Sequence, residues 1–110
     1  MSRFTAGIVL ARACCASVSR GEKTVRLSDA SAFHVQEAGE GDSIIFVHGL
    51  MSDARVWSRQ LDAFAGRGFH AIAYSRRFNF PNRNRPMSNY SAAADAEDLE
   101  ALLTRLGIQR

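Results

Sequence analysis

Ser43-Ile44-Ile45-Phe46-Val47-His48-Gly49-Leu50-Met51 is the stretch from which the rest of the chain can be read. Four consecutive apolar residues, three of them β-branched, suit a short strand buried on both faces. The run stops at His48-Gly49, where a residue without Cβ permits a sharp exit and close approach of a ligand to the backbone. Ser52-Asp53 then offers N-cap chemistry for a helix. Strand, glycine turn and helix together mark the place where open α/β sheets bind ligands, beyond the carboxyl end of a strand.

Working outward, residues 24–28 and 32–37 alternate apolar and polar around Asp29-Ala30-Ser31, the signature of a hairpin with one wet face. Val25, Leu27, Phe33 and Val35 are expected to point inward, and His34, of opposite parity, to be solvated. Gly39-Glu40-Gly41-Asp42 is a turn cluster leading into the central strand. After it, residues 54–65 read as a helix: Trp57, Leu61 and Phe64 recur at i, i+4 and i+7, with Val56 and Ala65 widening the stripe. Gly66 and Gly68 end it, and residues 69–74 form the next strand. That spacing predicts a parallel crossover.

Residues 75–90 hold Arg76, Arg77, Arg83 and Arg85, four asparagines, both prolines and no acid. Clustered guanidiniums can hold a carboxylate or phosphate, which makes Arg76 and Arg77 candidate anion ligands. The competing reading is that one of this pair makes an internal ion pair. Ser91 caps a last helix over residues 92–106, whose acids Asp95, Glu97, Asp98 and Glu100 suit its amino-terminal half. Ala96, Leu99, Leu103 and Leu106 are its expected buried stripe, with Leu102 at the margin. Gly107 supplies the C′ position and Ile108 a Schellman partner for Leu103.

At 110 residues the chain holds one small domain or part of a larger one, with an ordinary globular apolar fraction of 46%. No run approaches the ~18 apolar residues of a membrane helix. The formal charge of +3 is uneven. Residues 1–26 carry five basic residues against one acid and the remainder is close to neutral, so the basic character belongs to the tail and argues little about nucleic acid for the domain, for which no nucleic-acid partner is expected. Cys14 and Cys15 are adjacent and cannot staple a fold, and no metal-ligand spacing occurs. Residues 1–22 read as a basic extension. Their arginine-rich, acid-poor composition also fits a mitochondrial transit peptide; otherwise cytoplasmic residence is favoured.

Val47-His48-Gly49-Leu50, in its strand–turn–helix setting, resembles the α/β-hydrolase family, and the resemblance runs from about residue 25 to the end of the chain. It implies a three-layer α/β fold with a mostly parallel sheet, in the strand order first, second, fourth, third, fifth. It also implies that the Leu50 amide, presented by the His48-Gly49 loop, donates to the oxyanion of a reaction intermediate. Met51 and Trp57 become candidate substrate contacts. The loop after the second parallel strand departs from the pattern: Tyr74-Ser75-Arg76-Arg77-Phe78 stands where such hydrolases carry Asp-x-Arg-Gly-x-Gly-x-Ser.

The nucleophile elbow, Gly-x-Ser-x-Gly or an aspartate variant, occurs nowhere in these 110 residues. His34 and His70 lie within strands and His48 precedes the triad's chain order, so none substitutes for the base. The resemblance therefore implies the N-terminal half of a hydrolase of the esterase, epoxide-hydrolase or dehalogenase type, acting on a small molecule by a Ser/Asp-His-Asp triad, without cofactor or metal. The alternative is a non-catalytic binding module that uses loop 75–90 for anionic ligands. On the strand order that the resemblance implies, the strand at 44–47 lacks its outer neighbour and is expected at an open sheet edge prone to self-association.

Overall fold

The computed structural model describes residues 19–109, so Cys14, Cys15 and most of the basic leading segment lie outside the described residues. Four strands form one sheet: β1 (Arg20–Arg26), β2 (Ala32–Ala38), β3 (Asp42–Val47) and β4 (Phe69–Tyr74), in the order β1-β2-β4-β3. The hairpin pairs β1 with β2 antiparallel, β2 runs antiparallel to β4, and β3 lies parallel to β4. This is the order that the family resemblance implies. Between β3 and β4 the chain passes through a 3₁₀ turn, Ala54–Trp57, and helix α1 (Ser58–Ala65); α2 (Ala92–Arg105) follows β4.

Alternation along β4 divides the core. Ile72 and Tyr74 join Val25, Phe33, Val35 and Leu102 on the α2 face, with Ile45, Leu99, Leu106 and Ile108 against them. Ala71 and Ala73 join Ala38, Leu61 and Ala65 on the α1 face, flanked by Phe46, Trp57 and Phe64. Small residues on that face let α1 come close, and the aromatic rings fill the edge: Phe46 lies 4.9 Å from Trp57 and 5.4 Å from Phe64 between ring centroids. Fully buried side chains such as Leu61 and Ile72 each contribute about 1.5–3 kcal/mol.

Four details differ from the sequence reading. β1 begins at Arg20, inside the segment read as an extension, because Arg20 to Glu22 pair with Ala38 to Gln36. The Arg20 guanidinium also reaches Asp62 on α1 at 2.9 Å. Val56 is 57% exposed rather than part of the apolar stripe, since residues 54–57 wind as a 3₁₀ turn and rotate it outward. On α2, Leu102 is the centre of the buried face and Ala96 is exposed. That helix is turned so that Asp98, buried, faces the arginine loop. His34, expected to be solvated, is half-buried with its Nε2 3.4 Å from Glu22 Oε1.

The helix ends follow the sequence. Asp53 caps the 3₁₀ turn by accepting from the Arg55 N–H, and Ser91 caps α2 by accepting from the Ala94 N–H. Gly107, at φ 76°, closes α2 in a Schellman motif: Ile108 N–H donates to Leu103 O at 2.9 Å and Gly107 N–H to Thr104 O at 3.0 Å. Gly41, at φ 128°, could not be replaced without displacing backbone, because a Cβ there would stand 2.0 Å from Gly68 O.

Candidate active-site loop

β3 delivers His48 to the carboxyl edge of the sheet, where its ring is buried between two loops. The Arg76 N–H donates to His48 Nε2 at 2.8 Å, and His48 Nδ1 lies 2.6 Å from Gly49 O. The first partner can only donate and the second only accept, so the ring carries its proton on Nδ1. Across the same gap, the Asn79 side-chain amide donates to Leu50 O and Ser52 O, both at 2.9 Å. Ser52 N–H donates to Gly49 O at 3.3 Å.

Three carbonyls of this loop are thus held from its inner side. The amides of Gly49, Leu50 and Met51 have no acceptor among the described residues. A short loop with pinned carbonyls and free N–H groups is an arrangement that can accept developing negative charge without reorganising. Around it the surface is apolar: Leu50 is 70% exposed, Met51 93%, and Val47 and Phe80 are also exposed. Met51 is open to a ligand. Trp57 is half-buried and packed at a tilt on Phe46, so its ring belongs to the α1 core, although its indole N–H is buried without a partner among the described residues.

The two arginines read as anion ligands are both committed to carboxylates. Arg77 makes a fork to Asp98, Nε to Oδ2 at 2.9 Å and Nη2 to Oδ1 at 2.8 Å, with Asp29 Oδ2 at 3.1 Å from the same Nη2. Its guanidinium lies over the Phe33 ring at 5.6 Å. Arg76 pairs with Asp95, which also accepts from the Tyr90 hydroxyl. Those hydrogen bonds, Asp98 first for Arg77 and Asp95 for Arg76, raise both guanidinium pKa values. The acids of α2 therefore serve as ion-pair partners as well as dipole complements. The sequence signal for that was available: an acid-free arginine loop directly precedes a helix with acids at 95 and 98.

At the amino end of β4 a second polar cluster ties the sheet together. His70 Nε2 lies 2.7 Å from Glu37 Oε1 and His70 Nδ1 3.4 Å from Ser43 Oγ, and Lys23 Nζ reaches Glu37 Oε2 at 2.9 Å. Burial alone would push the Glu37 carboxyl up, but the hydrogen bonds from Lys23 and His70 together outweigh it and hold the pKa below the usual value.

A parallel pair inside a mixed sheet, a helix on each face and a glycine loop at the carboxyl edge make an open α/β unit with its loop where such sheets bind ligands. Similarity to known proteins agrees. The chain is 30% identical over 76 residues to a putative non-heme chloroperoxidase of Synechocystis, covering 69% of this chain and 27% of that one. It is 33% identical over 78 residues to an epoxide hydrolase of Caballeronia sordidicola, covering 70% and 24%. Among solved structures, an epoxide hydrolase from Vigna radiata superposes with a TM-score of 0.76 at 28% identity, over 83% of this chain and 30% of that one. One from an endophytic Streptomyces gives 0.73 at 26%, over 81% and 27%. No family model matches the chain. It belongs to the α/β-hydrolase family, matched at the family's N-terminal part, and spans 24–27% of the length of these two curated relatives.

Proposed function

We propose that this chain supplies the oxyanion side of a hydrolase that opens ester, epoxide or related bonds, with the nucleophile, base and acid contributed by sequence outside these 110 residues. The observation that carries the reading is the loop at 49–51, whose N–H groups meet no acceptor among the described residues while Gly49 O, Leu50 O and Ser52 O are tied to His48, Asn79 and Ser52. Epoxide hydrolases among the relatives support a small-molecule substrate, and the exposed Leu50 and Met51 offer it an apolar approach. Three roles follow. The Leu50 amide donates to the developing oxyanion of the reaction intermediate. Gly49 gives the backbone room for that approach, and His48 and Asn79 hold the loop to the segment after β4.

Leu50→Pro, made in the full-length enzyme that contains this part, removes the donor and leaves an apolar side chain in place. The expected result is a fall of ~10²–10³ in kcat, the usual cost of one oxyanion donor. KM should change little, because the contact strengthens only as charge develops. A folded Leu50→Pro enzyme with unchanged kcat would remove the Leu50 amide from the mechanism.

A further inference from the structure

The arginine loop presents a second site, beside the hairpin turn that joins β1 to β2. Asn82 and Asn84 behave as a substitute strand: Asn82 Oδ1 accepts from His34 N–H at 2.8 Å, and Asn84 Oδ1 accepts from Ala32 N–H at 2.7 Å. Their Nδ2 groups donate back to Ser75 O, Arg76 O, Ala32 O and Arg77 O. Every second side chain is therefore fixed on β2 and the neighbouring backbone, and Arg83 and Arg85, which alternate with them, are left to line a cavity. With Arg26 at the end of β1 and the Asp29–Ser31 turn, they surround about 340 Å³.

The charge balance of that cavity is one-sided. Its only acid, Asp29, is already engaged: Ser31 donates from Oγ at 2.5 Å and from N–H at 3.0 Å to Oδ1, and Arg77 holds Oδ2. Arg77 is in turn committed to Asp98. Arg26, Arg83 and Arg85 make no ion pair among the described residues. Three arginines lining one concavity whose single carboxylate is already engaged leave an excess of positive charge, and an anion that several forks can share relieves this. A tetrahedral phosphate offers oxygens in several directions, whereas a single carboxylate is satisfied by one fork.

We propose that this cavity binds the phosphate or pyrophosphate group of a small molecule, with Arg26, Arg83 and Arg85 as its ligands. The site is separate from the glycine loop and does not rest on the hydrolase reading. It moves the anion-binding role from Arg76 and Arg77, which are structural, to the arginines that are exposed.

The test is calorimetric titration of the 110-residue protein with inorganic pyrophosphate, inorganic phosphate and citrate at matched ionic strength. Saturable pyrophosphate binding is expected, weakened at least ~10-fold in Arg83→Gln/Arg85→Gln and in Arg26→Gln. Arg59→Gln, on the exposed face of α1, should leave it unchanged. All four side chains are exposed, so the variants fold, and a thermal melt checks this. No saturable binding, binding indifferent to the Arg83/Arg85 pair, or equal arginine-dependent binding of citrate overturns the proposal. So does a short DNA duplex that binds through the same arginines while pyrophosphate does not.

Discussion

Arg77→Ala is expected to destabilise the protein by about 3–5 kcal/mol, the cost of leaving one member of a buried pair uncompensated. Arg77 and Asp98 are each 7% exposed, and the fork between them is the principal polar link between the loop after β4 and α2. Alanine would also take away the contact with Asp29 in the hairpin turn and the cover over Phe33. Arg77→Lys should fall between, because an ammonium keeps the charge and loses the two-point fork. An Arg77→Met/Asp98→Leu double variant should recover much of the loss, since a well-packed apolar pair needs no desolvation. Urea unfolding at one fixed protein concentration measures all three. An Arg77→Ala midpoint equal to that of the parent would mean that the pair does not hold α2 in place.

The second large effect concerns the outer edge of β3. In the described residues this strand pairs with β4 alone, so a row of backbone groups beside Ile44, Ile45, Phe46 and Val47 is open. Val47 is 44% exposed, and neither proline nor lysine blunts the edge. We propose that the 110-residue protein associates through it at micromolar concentration. Sedimentation velocity should show a dimer or larger species, and Val47→Lys should shift it toward monomer by placing a charge where two edges would meet. A monomer with cooperative thermal unfolding in the parent protein contradicts the proposal.

The architecture was legible because its signals are local. The apolar run at 44–47, the His48-Gly49 exit, the alternating hairpin and the Schellman glycine at 107 each depend on a few neighbouring residues, and each has its structural counterpart. The family resemblance added the strand order, which local pattern alone does not fix. Less legible was the rotation of α2. Apolar periodicity favoured Leu99, Leu103 and Leu106 as its centre, but Asp98 turns inward to meet Arg77, an interaction 21 residues apart in sequence, and brings Leu102 to the core. The asparagines were missed for a related reason. Asn79, Asn82 and Asn84 read as loop composition, yet their amides pin the glycine loop and extend the edge contacts of β2. Long-range polar pairing leaves no periodic trace in a single sequence.

We propose a division of labour at the centre of the account: these 110 residues supply the oxyanion loop, and the nucleophile comes from other sequence. Hydrolysis of nitrophenyl acetate by the purified 110-residue protein tests this most directly. The rate predicted is no higher than that of the same protein denatured, whose histidines remain available for nonspecific reaction. Saturable hydrolysis with a titratable active site would show a nucleophile within these residues and contradict the account.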